Sequence, residues 1–384
     1  MSAVAGVRRR RGNTALAIVV LALAACQTLG PSHTGRLRAL EPSLGQLLLV
    51  GFTGTAGDGQ AEPERLICDV RVGGILIFGR NVVTPGQLAR LTAWMSARAQ
   101  ACTGTPLLVA VDAEGGRVMR LSPRAGFPPS PSHQDLGTAD DLGFTEQEAR
   151  RMGAMLREAG INWNLAPVVD VAINPANPVI VGNGRSFGAD PDRVAAQARA
   201  FIRGMHAEGL LTSVKHFPGH GSSFTDSHLG FVDVSDTANL EVELVPYRQL
   251  LAAEAVDSVM TAHVFNRNLD PRYPATLSAA TIDGLLRRQL GFGGVVVSDD
   301  LRMRAIEQQY GIEEAAVLAL NAGVDVLVIG DDRLPDGRSA ASLAREAIRR
   351  ALWQGRLDPD RVESALARVA AFKARLSASP RPPA

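Results

Sequence analysis

The 384-residue chain is 46% hydrophobic and 21% charged, with a formal net charge of +1. That balance describes a core-forming protein and excludes one built around a basic or acidic tail for nucleic acid. The length would accommodate two domains, but α/β barrels of this size are commonly one unit.

The chain opens on a leader. VRRRRGNTALAIVVLALAACQ sets basic residues before an apolar run, Ala15 to Ala25, that ends at Cys26. The run is too short for a comfortable membrane span and fits a signal peptide. Its ending, LAAC, resembles a bacterial lipobox, which implies a mature protein acylated at Cys26. An uncleaved anchor helix or a plain signal peptide are the alternatives, and each leaves the mature chain outside the cytoplasm. The expected organisation is a signal segment over 1–26, a linker over 27–38, one domain over 39–376 and a disordered tail over 377–384. Export would leave Cys68 and Cys102 in an oxidising compartment. Both lie near the ends of predicted neighbouring helices, so a bridge is expected, with two buried free thiols as the alternative.

Eight short apolar runs follow: LLLVGF (47–52), GGILIF (73–78), PLLVAV (106–111), INWNLAP (161–167), LTSVKHF (211–217), VDSVMTAH (256–263), GGVVVSD (293–299) and VDVLVIG (324–330). They are rich in Val, Ile and Leu and mostly continuous, as parallel strands covered on both faces should be. Helical patterns separate them, among them 85–101, 145–160, 192–209 and 311–323, several ending in glycine. Eight runs alternating with helices predict a single (β/α)8 barrel of the TIM type. A doubly wound open sheet is the alternative.

A barrel places its chemistry where strands end, and the polar residues obey that demand. Asp112 follows the third run. Lys215 and His216 close the fifth, His263 the sixth, and Asp299 and Asp300 the seventh. Lys215 is one of two lysines against thirty-eight arginines, which suggests a place needing a compact ammonium rather than a planar fork. In SVKHFPGHGSSFTDSHLG (213–230), Asp226 and His228 fall on one side of an extended loop. A carboxylate there would set the imidazole's tautomer and raise its basicity, as suits a general acid/base. Alternation sends Asp299 and Asp300 to opposite sides, and local pattern does not say which faces the axis. VDAEGGRVMRL adds Arg117 and Arg120 after the third run, and GRSFGADP adds Arg185 after the fourth. For Arg117, a salt bridge at the rim is as good a reading as function.

Together, KHFPGHG with the following DSH, VDAEGGRVMRL, GRSFGADP and GFGGVVVSDDLRM resemble the β-N-acetylhexosaminidase branch of glycoside hydrolase family 3, across about residues 40–330. The resemblance implies a retaining enzyme without cofactor or metal. Asp299 would be the nucleophile, His228 the acid/base and Asp226 its partner. Asp112, Arg120, Arg185, Lys215 and His216 would hold the N-acetylglucosamine ring. Ala113 replaces a glutamine common in the family. The segment before Arg185 is about a residue long, and the proline often found after the triplet is missing.

The implied partner is an N-acetylglucosamine-containing glycan, a muropeptide or a chitooligosaccharide, met by a lipid-anchored monomer in the cell envelope. Three rivals stay open at this level. One is a metal-dependent barrel hydrolase using His216, His220, His228, His263 and an aspartate. Another is a phosphorolytic member of the same family, because a neutral histidine does not repel phosphate. The third is a non-catalytic envelope lipoprotein.

Overall fold

The computed structural model describes residues 1–3, 33–57, 59 and 61–378. Residues 4–32, which include Cys26 and the leader's apolar run, and the last six residues lie outside the described residues.

Every one of the eight runs becomes a barrel strand: β1 Leu48–Gly51, β2 Gly74–Ile77, β3 Leu108–Val111, β4 Trp163–Asn164, β5 Leu211–Phe217, β6 Ser258–Thr261, β7 Val295–Asp300 and β8 Val326–Ile329. All neighbours pair in parallel, and β1 meets β8 to close the barrel. The strands read as continuous apolar runs because helices cover one face and packed side chains fill the other. Helices Pro85–Thr103, Leu142–Glu158, Pro191–Ala207 and Arg304–Ala322 stand where the helical patterns predicted them. Thr84 and Asp141 cap the first two by accepting backbone N–H bonds.

INWNLAP is the least regular strand. Only Trp163 and Asn164 join the ladder, because Pro167 has no N–H to offer. The pairing continues in single bonds: Lys215 N donates to Pro167 O, and Val169 N donates to Lys215 O at 2.7 Å. Those bonds seat Lys215 at the rim.

The opposite end is plugged. Trp163 is fully buried, donates to Ser258 Oγ at 3.2 Å and stands edge-on to Phe372 of the helix Pro359–Ala378. Buried Asp325 accepts from Arg287, Arg361 and Arg368, tying the helix Ala280–Gln289 and the final helix to the barrel floor.

Four features differ from the sequence-based expectation. The linker over 27–38 is helical from His33, in a helix running to Leu40 whose Arg36 pairs with Asp360 and Glu363. The final helix runs to Ala378, two residues into the expected tail. A hairpin (Ala113–Gly115 with Val118–Met119) and a parallel pair (Val232–Asp233 with Val264–Phe265) decorate the rim. Two- and three-residue strands carry no readable alternation, so neither was predictable. The Cys68–Cys102 bridge, by contrast, is the one expected, with Cα atoms 5.1 Å apart.

Candidate active site

The carboxyl ends of the strands surround a cavity of about 310 Å³. Asp112, Arg120, Arg185, Lys215 and His216 line it on one side, and Asp226, His228 and Asp299 on the other. All eight proposed site residues of the folded domain therefore converge. Two surface grooves of about 610 Å³ lie elsewhere, one along Arg304–Ala322 and one beside Asp257 under the barrel floor. Neither lies at the strand ends, and the charges lining the first include the surface pairs Arg350–Glu313 and Arg356–Glu314.

One wall is a frame of paired charges. Lys215 Nζ donates to Asp112 Oδ1 at 2.8 Å and sits 2.7 Å from Glu114 Oε1. Arg185 forks onto Glu114 through two bonds of 2.8 Å. Arg120 reaches Asp112 at 3.4 Å. Burial pushes the carboxyls of Asp112 and Glu114 up, but Lys215 with Arg120, and Arg185 with Lys215, pull them below their ordinary values. Burial likewise pushes the Lys215 ammonium down, and Asp112 and Glu114 more than restore it. The frame is held ionised, with one Lys215 donor bonded to Asp112 and Glu114 adding a close ion pair.

His216 is set by Asp170. Its Nδ1 lies 2.7 Å from Asp170 Oδ2 and its backbone N donates to Oδ1 at 3.2 Å. Nε2 is left facing Arg185 Nη2 at 3.2 Å. Burial raises the Asp170 carboxyl, and the two imidazoles of His216 and His220 outweigh it.

The triplet forms a turn, not the extended loop expected. Asp226 Oδ1 accepts from His228 N at 2.8 Å and lies 2.7 Å from His228 Nδ1. One carboxylate oxygen thus caps the turn and selects the Nδ1–H tautomer, which turns Nε2 outward as the exchangeable position.

Asp299 and Asp300 part company at a bulge. β7 pairs Val297 with Val326 but Asp300 with Val328, so it carries one extra residue at its end. Asp299 lines the cavity. Burial pushes its carboxyl up, but the imidazoles of His263, His216 and His228 and the Asp300 N–H bring it to about 2. Asp300 accepts from Gly330 N at 2.8 Å and Arg302 N at 2.9 Å, bracing the β7 and β8 loops. Burial pushes Asp300 up to about 6.

Glu114 and Asp170 escaped the sequence-based site. Asp170 closes VVD just past the fourth run, where the strand-end rule points, and Glu114 stands two residues beyond Asp112. Arg117 donates to Gly182 O at 3.0 Å, so it staples two rim loops. The departures from the family pattern leave the frame intact. Ala113 is buried with its backbone pinned to Asn164, and Arg185 keeps its fork.

The metal-ligand set does not assemble. Both ring nitrogens of His220 and of His263 have protein partners. Among the described residues, the one cluster with ligand spacing is Glu64, Cys68 and Cys102, and its two sulfurs are bridged to each other.

Comparison with known proteins agrees with this geometry. Residues 39–372 match the glycosyl hydrolase family 3 N-terminal domain. A β-hexosaminidase of Xylella fastidiosa is 38% identical over 316 residues, covering 80% of this chain and 90% of that protein. A family 3 β-N-acetylglucosaminidase structure from Paenibacillus sp. superposes with a TM-score of 0.83 at 38% identity, over 90% of this chain and 64% of that one. The β-N-acetylhexosaminidase structure from Beutenbergia cavernae gives 0.77 at 33% identity, over 87% of this chain and 98% of that one. Barrel, motifs and relatives lead to one conclusion: this chain belongs to glycoside hydrolase family 3, in its β-N-acetylhexosaminidase branch, and is a glycosidase.

Proposed function

We propose that the protein is a retaining, exo-acting β-N-acetylhexosaminidase that removes terminal N-acetylglucosamine from peptidoglycan fragments or chitooligosaccharides. The observation that carries this reading is the shared cavity: Asp299, held anionic, lines it together with the Asp226–His228 pair. An Asp299 oxygen forms a bond to the anomeric carbon as the bond to the leaving oxygen breaks, and His228 Nε2–H supplies that oxygen's proton. The neutral imidazole then takes a proton from water, whose oxygen displaces Asp299 from the sugar. Asp226 stabilises the imidazolium at the start of the first half and again once the proton from water has restored it. Retaining glycosidases generally use two carboxylates. Here an imidazole fills the second role, able to give and take a proton at Nε2 while Asp226 holds Nδ1. The charged frame of Asp112, Arg120, Arg185, Lys215 and His216 would orient the sugar hydroxyls and the N-acetyl group.

The first test is hydrolysis of the p-nitrophenyl β-glycosides of N-acetylglucosamine and glucose, each with and without EDTA and phosphate. Cleavage that resists chelation and favours the N-acetyl sugar supports the proposal. Loss of activity in EDTA would revive the metal-dependent reading, and a sugar phosphate product would identify the phosphorolytic one. Asp299→Ala should lower turnover by several orders of magnitude in a folded protein, roughly the span lost with other covalent nucleophiles.

We also propose export and acylation at Cys26. The lipobox-like leader supports this, and so does the Cys68–Cys102 bridge, which suits an oxidising compartment. Palmitate labelling in cells, lost in Cys26→Ser, checks it.

A further inference from the structure

The acid/base turn hangs on one buried residue. Between Phe224 and Phe231, Ser227 alone is buried, at 2% exposure. Its neighbours face solvent: Phe224 is 64%, Leu229 72% and the His228 side chain 60% exposed. Ser227 O accepts from Ala305 N at 3.3 Å, at the start of the helix after β7. Its Oγ lies 3.3 Å from His220 Nε2.

His220 is itself buried at 2% and tied down on three sides. Its backbone N donates to Asp170 Oδ1 at 2.8 Å. Its Nδ1 lies 2.6 Å from Ser223 Oγ, and that hydroxyl donates to His220 O at 2.9 Å while accepting from Asn177 Nδ2 at 3.1 Å. A hydroxyl has one proton, and the carbonyl takes it, so Nδ1 must be the donor. Nε2 is then an acceptor and receives the Ser227 hydroxyl proton. Burial, only partly offset by Asp170, brings the imidazole down to about 4, which keeps it neutral across the working range. The donor pattern is therefore stable.

We propose that His220 is a positioning residue for the acid/base, pinning Ser227, the centre of the Asp226–Ser227–His228 turn, to the Asp170 carboxylate that also orients His216. One buried carboxylate thereby sets both a sugar contact and the proton donor. The tether rests on the hydrolase reading for its kinetic consequence, but not for its structural one.

The test uses Ser227→Ala, His220→Gln and His220→Phe in the full mature protein. Each is assayed on two β-glycosides of N-acetylglucosamine, one with an activated dinitrophenyl leaving group and one with methanol as a poor one. Ser227→Ala is expected to lose about 10-fold or more in kcat/KM on the methyl glycoside and less than about 3-fold on the activated one, since small misplacements cost this much and only poor leaving groups need the proton. His220→Gln keeps an acceptor toward Ser227 and should recover most of the methyl glycoside activity. His220→Phe should match Ser227→Ala, and the double variant should be no worse, as expected of partners in one interaction. Equal losses on both substrates, or additive losses, would overturn the proposal.

Amide exchange over residues 224–231 supplies a readout without catalysis. It should quicken in Ser227→Ala, and unchanged exchange would overturn the tether even if the wild-type protein cleaved neither substrate. That second result would count separately against the hydrolase reading.

Discussion

Lys215 and Lys373 are the chain's two lysines, and both are buried, at 1% and 4% exposure. Their surroundings separate them. Lys215 has two carboxylates and stays charged, whereas Lys373 has only Gln46 Oε1, at 2.7 Å, and burial drags its pKa to about 7. The unfolded chain holds that proton up to about 10.5, so between 7 and 10.5 it binds more protons than the folded one. Stability should rise with pH through that window, and the penalty should be complete below 7. Lys373→Met should raise stability at pH 7 by about 1–3 kcal/mol and flatten the slope, measured by urea unfolding at pH 7 and 10. The scarcity of lysine marked Lys215, which lies buried between two carboxylates, but it marked Lys373 equally. It said nothing of Glu114, the second carboxylate holding Lys215, because an acid in a glycine-rich loop has no compositional mark.

Among the elements, the end of β7 shows how far local pattern reaches. Alternation in VVVSDD required one acid to face inward and one to face away, and that outcome holds. The bulge and the close passage of β8 decide which is which. A Cβ on Gly330 would lie 2.2 Å from Asp300 Oδ2, so only glycine lets that carboxylate lie against the β8 end. Gly330→Ala should displace Asp300 and, through the adjacent peptide, Asp299. A loss of about 10-fold or more in kcat/KM is expected, with about 1–3 kcal/mol of stability, from kinetics and thermal unfolding together. The Asp226–Ser227–His228 segment is a turn rather than extended for a similar reason. A DSH triplet is compatible with either geometry, and the buried seat of Ser227 beside His220 decides between them.

For the whole molecule, the barrel separates labour between its ends: paired charges and the cavity at one rim, arginine-bound aspartates and Trp163 at the other. The Cys68–Cys102 bridge joins residues 34 apart, linking the helix Pro85–Thr103 to the segment before β2, away from the cavity. Replacing both cysteines by alanine should lower stability by about 2–4 kcal/mol and leave kcat/KM at 25 °C nearly unchanged. Differential scanning calorimetry beside the glycoside assay checks both. Eight strands, their alternation with helices and the polar rim could all be read from the chain, because a strand covered on both faces and a polar strand end are properties of a few adjacent residues. The pairing of charges could not. Lys215 meets Asp112 across 103 residues, Arg185 meets Glu114 across 71, and Asp170 reaches His216 and His220 across 46 and 50. Those partners become neighbours only when the barrel closes and burial makes each charge require its counterpart.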